Sequence, residues 1–245
     1  MIACNTTLNM KPITTSSELE KLILHTGILP YFRNRINGFS IEEIVPEPIL
    51  WSLTDGPWIW KGTLVRDWHV AYGKFFNRKA GYIALDMLTD YINLRRSQYD
   101  LRANPVESHI LDILREHESL LSRELKDLSG FSRTRRPKPE ISPLERMIER
   151  SAPKGARDMG FDTRIMRLQM AGYVVIADFE YKVDRHGDTY GWGVARYTTP
   201  EALYGDGIIE TGGRTPEQSY MRLHNRIKAA LPHVDDHLIH RLLNL

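Results

Sequence analysis

The chain has 245 residues, enough to bury a substantial core in one large or two modest domains. Its content, 42% hydrophobic and 26% charged, is that of a globular protein, and no apolar run approaches the length of a membrane span. The net charge of +2 selects no partner by itself, and the single cysteine, Cys4, excludes an intramolecular disulfide.

The opening MIACNTTLNMKPITTSS lacks a basic start followed by an apolar block, so no export signal and a cytoplasmic location are expected. TSSELEKLILHTG is the first helix signal. Thr15 and Glu18 stand in capping-box spacing, Leu19, Leu22 and Ile23 share a face, and Gly27 follows as a terminator. FSIEEIVPEPILW repeats the device with Ser40 and Glu43, and Pro46 and Pro48 cut it short. From Gly56 to Leu85 the sequence turns aromatic and glycine-punctuated, and parts of it are expected as short strands. DMLTDYINLRR then predicts a helix with a basic end, and DLRANP a linker.

A second series starts at Glu107. ESHILDILREHESLL places Ile110, Ile113 and Leu114 on one helical face. SRELKDLSGF follows, with Ser122 as the expected cap, Leu125 and Leu128 apolar, and Gly130 as terminator. Phe131 to Arg157 holds eight basic residues against three acids, a local +5 that leaves −3 for the remainder, and four of the 13 prolines interrupt it. It therefore reads as a basic insertion. GFDTRIMRLQMAG predicts a third helix with Ile165 and Leu168 facing the core. YVVIADFEYKV and YGWGVARY are β-rich and joined by the turn DRHGD. TPEQSYMRLHNRIKAALP predicts a helix capped by Thr215, Pro216 and Gln218, and a short helix is expected after Pro232. No internal repeat is legible.

Three helices and a hairpin are the order of a winged helix-turn-helix, whose third helix enters the major groove while the wing touches backbone or minor groove. Arg164 and Arg167, three apart on that helix, are with Thr163 the expected DNA contacts. Arg185 would sit at the wing tip. Arg133, Arg135, Arg136 and Lys138 in the insertion would neutralise phosphates. The plainer alternative is a solvated arginine face on a fold that binds protein. Trp58 and Trp60 are candidates for stacking on bases, weighed against a core role. Asp67 and His69 would share one face of a strand and are candidates for acid–base chemistry.

His233, His237 and His240 fall within roughly 60° on a helix but away from its apolar side, so they read as solvated and no metal is expected. There is no phosphate-binding glycine loop, dinucleotide fingerprint or Cys-x-x-Cys pair, so no cofactor is expected. DNA is the expected partner, and a membrane is not.

GPWIWKG, AYGKFF, KAGYIAL, RLQMAGYVVIADFEY and YGWGVARYTTPEALYG together resemble a bacterial branch related to the AlkZ/YcaQ winged-helix DNA glycosylases. The resemblance runs from roughly Gly56 to the C-terminus. It is weaker to the characterised glycosylases themselves, where it rests on tandem winged-helix organisation and phrases such as LLSRELKDL. It implies an α+β, mostly helical fold of tandem winged helix-turn-helix units with short β-wings. The expected divisions are 1–104, a helical, winged-helix-like domain with the aromatic β segment; 105–206, a winged-helix domain with the basic insertion 131–158; and 207–245, a helical extension.

The resemblance also implies DNA binding and repair, by hydrolysis of the N-glycosidic bond of an alkylated or crosslinked base. Those glycosylases carry a Gln-x-Gln or Gln-x-Asp motif that positions water at the sugar. Here GPWIWKG stands where that motif belongs, and the matching string at Gln98 and Asp100 falls too late in the chain. Lys61 could hold a phosphate or, as a third candidate for chemistry, act as an amine nucleophile if its pKa is depressed. The alternatives to a glycosylase-like enzyme are a non-catalytic winged-helix regulator and a protein-interaction module.

Overall fold

The computed structural model describes residues 11–52, 54–131, 159–186 and 189–243. The basic-insertion candidates Arg133, Arg135, Arg136 and Lys138 lie outside them.

The chain begins with α1 (Ser16–Thr26). Thr15 Oγ1 accepts the Glu18 N–H at 3.2 Å, and Gly27, at φ +79°, closes the helix by donating its N–H to Ile23 at 2.8 Å. β1 (Ile28–Pro30), α2 (Ile41–Ile44), α3 (Glu47–Leu50), α4 (Pro57–Arg66), β2 (Val70–Phe76) and β3 (Lys79–Ala84) follow. The strands form an antiparallel sheet in the order β1-β3-β2, with Leu29 opposite Tyr82 and Tyr72 opposite Tyr82 on the other side. Asn77 and Arg78, both at positive φ, make the tight turn between β2 and β3.

The stretch PWIWKG is helical, and the short strands expected in parts of Gly56 to Leu85 are β2 and β3. Pro57 occupies the first turn, where its missing N–H costs nothing. Trp60, Lys61, Gly62, Leu64 and Val65 are all buried, so α4 is covered around much of its circumference and shows no helical periodicity to read. The expected pairing of Asp67 and His69 on a strand fails. Asp67 caps the end of α4, Trp68 turns the chain at φ +59°, and His69 precedes β2.

After α5 (Leu85–Ser97) the second series comprises α6 (Pro105–His117), β4 (Ser119–Leu121), α7 (Ser122–Leu128), α8 (Phe161–Met170), β5 (Val175–Val183) and β6 (Thr189–Thr198). Its sheet runs β4-β6-β5, again antiparallel, with Leu120 opposite Tyr197 and Ile176 opposite Tyr197. Leu121 rather than Ser122 caps α7, because Glu124 reaches back to accept the Leu121 N–H at 2.8 Å. Of its two apolar leucines, Leu125 is buried and Leu128 is exposed.

The two series have the same order: helix, short strand, helical segment, helix, hairpin. Both sheets place the first strand beside the third. The architecture repeats although no sequence repeat is legible.

One contiguous core spans both halves. β5 packs on α4 and β2, and α8 on β2. The fully buried Gln169 side chain bridges the halves, accepting the Lys74 N–H at 2.9 Å and donating to Ile165 O at 3.3 Å. Beyond β6 lie α9 (Pro200–Tyr204), a 3-10 turn (Asp206–Ile209), α10 (Pro216–Ala230) and α11 (Asp236–Leu242). α10 returns to pack on α5 and α1. His233 precedes α11 instead of sharing it with His237 and His240, so the three do not form one helical face. Among the described residues no cluster of His, Cys, Asp or Glu is placed to hold a metal, and no helix is long and apolar enough to cross a membrane.

Candidate nucleic-acid interface

α8 is the third helix of its series among the described residues, and its arginines are the first test of a DNA-reading face. Arg164 is only 7% exposed. Its Nη1 donates to Glu107 Oε2 at 2.8 Å and its Nε to Met159 O at 2.9 Å. Arg167 lies 3.3 Å from the other Glu107 oxygen and donates to Asn104 Oδ1 at 3.1 Å.

Glu107 is 1% exposed, and a carboxylate that far from water needs cations around it. The three-residue spacing that puts both arginines on one face aims that face at α6. The expectation that Arg164 reaches a groove is therefore corrected, and half-buried Arg167 is committed to the same carboxylate. Towards solvent α8 presents Asp162 and Thr163, with Met166 half-buried beside them. Arg185 is exposed at the tip of the second hairpin, where its Nε donates to His186 Nε2 at 3.1 Å.

α4 is the helix that precedes the hairpin of the first series, and it carries Trp58, Trp60 and Lys61. Trp60 is 5% exposed and its indole donates to Asp55 Oδ1 at 2.5 Å, so it is a core residue and not a stacking platform. Trp58 is half-buried, its ring 5.2 Å from that of Tyr31, and its carbonyl accepts the Tyr181 hydroxyl at 3.3 Å. The Lys61 ammonium sits 4.3 Å from the Trp58 ring and 4.1 Å from Phe179 of β5.

No hydrogen-bond acceptor or carboxylate among the described residues meets the Lys61 ammonium. Burial accordingly pulls its pKa down to about 8. Tyr31, Tyr72 and Tyr82 line the same region, and burial raises all three phenols. Arg66, at the end of α4, pairs with Asp178 of β5 at 2.7 Å. β5 thus covers the face of α4 that carries Lys61 and Arg66.

The three candidates for chemistry do not assemble. Lys61 faces β5, His69 Nδ1 pairs with Glu20 of α1 at 2.6 Å, and Asp67 is exposed with no hydrogen bond to either.

A mixed helix-and-sheet protein whose two halves share one element order is the class these observations define. The chain belongs to the AlkZ-related family, whose model matches residues 13–244. No curated protein and no solved structure matches it.

Glu107 was overlooked in the sequence although a signal was there. It lies three, four and seven residues before Ile110, Leu111 and Leu114, on the apolar stripe of α6. Gln169 lies one turn from Ile165 in the same way.

Proposed function

We propose that this AlkZ-related protein binds double-stranded DNA through tandem winged helix-turn-helix units, at 1–104 and 105–206, with 207–245 as a helical extension. The observation that carries the reading is the repeated order of helices and hairpin in both halves, joined to family membership. With α4 covered by β5, the DNA face is assigned to the second unit. Thr163 lies in the first turn of α8, Arg185 tips the hairpin, and the +5 segment precedes α8 in the sequence. Helix N-termini favour phosphate, and lysine and arginine supply the salt-dependent part of affinity. Since Glu107 holds Arg164 and Arg167, the contacts are to backbone more than to base edges.

Binding without base release is the favoured activity. The position where glycosylases keep a water-positioning glutamine holds Trp58 and Trp60, and indole cannot accept a proton.

The test is duplex binding across a salt series. Alanine at Arg133, Arg135, Arg136 and Lys138 together should weaken binding alike for all sequences. It should flatten the log–log salt slope by roughly 3 to 4, about 0.9 for each lost phosphate contact. No duplex affinity in low salt would overturn the reading. Base release from alkylated duplex, abolished by Lys61→Ala with folding intact, would overturn the non-catalytic part.

A further inference from the structure

A pocket of about 660 Å3 lies between the segment after β1, the β2–β3 turn, α5 and α11. Five cationic side chains line it, Arg33, Arg35, Lys79, Arg95 and Arg241, and no Asp or Glu does. That composition is unusual for this molecule, whose other arginines are widely paired. Arg66, Arg96, Arg196, Arg214 and Arg222 each meet a carboxylate within 3 Å. In the pocket, Arg33, Arg35 and Arg241 have no side-chain hydrogen bond or ion pair among the described residues.

The fold holds the cations there. Asn34 pins the segment after β1, donating to Phe39 O at 2.7 Å and accepting the Ile36 N–H at 2.8 Å, with Arg33 and Arg35 on either side of it. Lys79 donates to Arg33 O at 3.0 Å. Glu42 accepts the Arg33 backbone N–H at 2.8 Å and Glu43 the Gly38 N–H at 3.1 Å, and neither lines the pocket. Asn77 reaches Arg241 O at 3.4 Å and brings α11 to the hairpin, while Arg95 is fixed by the neutral oxygens of Met170 and Gln98.

Like charges gathered in a concave space raise one another's energy, and a bound anion relieves that. Guanidinium groups match phosphate oxygens two at a time. The volume, within the roughly 300–1,000 Å3 of small-molecule sites, exceeds what a bare phosphate fills. Half-buried Phe32 supplies an aromatic wall.

We infer that this pocket binds a nucleoside phosphate, its phosphate on Arg33, Arg35 and Arg241 and its base against Phe32. The ligand is either a free mononucleotide or the phosphorylated end of a strand. The inference does not need the duplex-binding reading, because a free nucleotide requires no duplex contact.

Calorimetric titration of the full chain with AMP and dTMP tests it. Inorganic phosphate and adenosine serve as controls, and a short oligothymidylate is compared with and without a 5′-phosphate. At least one mononucleotide or the 5′-phosphorylated strand should bind at least about tenfold more tightly than inorganic phosphate or the unphosphorylated counterpart. Arg35→Ala and Arg241→Ala should each weaken that binding about tenfold or more and leave the thermal midpoint unchanged. Preference for the strand identifies a strand end; preference for the mononucleotide identifies a free ligand.

The inference is overturned by absence of saturable binding to all three phosphorylated probes, by equal affinity for inorganic phosphate, or by affinity unaltered in both variants. The basic-insertion variant should keep nucleotide binding, so failure of this inference and failure of the duplex reading show separately.

Discussion

Lys61 carries an ammonium into the contact between the two halves and finds two aromatic faces there, with no carboxylate among the described residues. Cation–π attraction offsets part of the desolvation, yet the depressed pKa shows that burial wins. Below pH 8 both folded and unfolded chains hold the proton, and the penalty is felt in full. Between about 8 and the ordinary lysine value of 10.5 the folded protein sheds a proton that the unfolded chain keeps, so this residue's contribution to stability rises with pH. Lys61→Met should therefore be more stable than the parent at pH 7, and its advantage should narrow by pH 9.5. Denaturant titrations of both proteins at the two pH values measure this. A difference that does not change with pH would mean the ammonium is solvated. The buried tyrosines are common to both proteins and cancel in the comparison.

Among the elements, α6 and α8 are joined by an ion triad of Glu107 with Arg164 and Arg167 as well as by apolar packing. Removing Glu107 would take away the carboxylate that the buried Arg164 guanidinium meets at 2.8 Å, so Glu107→Ala should cost about 3 to 5 kcal/mol in equilibrium unfolding. Glu107→Leu with Arg164→Met should recover most of that loss, because it removes both buried charges together. If the alanine variant loses no stability, the triad is not closed in solution and Arg164 returns as a groove-reading residue.

Legibility followed the local physics of each element. α1 and α10 were readable because their caps are local: Thr15 with Glu18, and Thr215 with Gln218, each satisfy first-turn N–H groups within a few residues. α4 was not readable, since partners from distant parts of the chain cover it, and a helix buried over most of its surface loses its period. The chemistry was misread for a related reason. Charge near α8 is visible in sequence, but that its arginines turn inward depends on Glu107, 57 positions earlier. The phosphate-matched pocket was hidden because its arginines come from separate elements.

At the scale of the whole molecule the last helices close the structure onto its beginning. Asp90 of α5 is fully buried, and three groups from the C-terminal part converge on it. Arg214 Nε and Ser219 Oγ donate to Oδ1 and Arg222 Nε to Oδ2, each at 2.8 Å. Arg226 of α10 adds a bond to His25 O at 3.0 Å, and Leu223 and Ile227 enter the common core. The halves are tied in turn by Gln169 and by Arg96, which donates to Gly172 O at 3.2 Å and to Glu201 at 2.5 Å.

With the core shared and polar bridges at each junction, neither half has a boundary along which to open alone, and unfolding should be a single transition. Asp90→Ala leaves Arg214, Ser219 and Arg222 without their common acceptor. It should lower stability by about 2 to 4 kcal/mol, given charge-assisted bonds of about 1.5 to 3 kcal/mol each and partial escape of the exposed arginines to water. The loss should appear at one shifted midpoint, the same by far-ultraviolet dichroism and by tryptophan fluorescence. Because four of the five tryptophans, Trp51, Trp58, Trp60 and Trp68, lie in the first half, fluorescence reports mainly on that half while dichroism reports on the whole. Midpoints that separate in the Asp90→Ala protein would show that the halves fold independently and that α10 is a detachable extension.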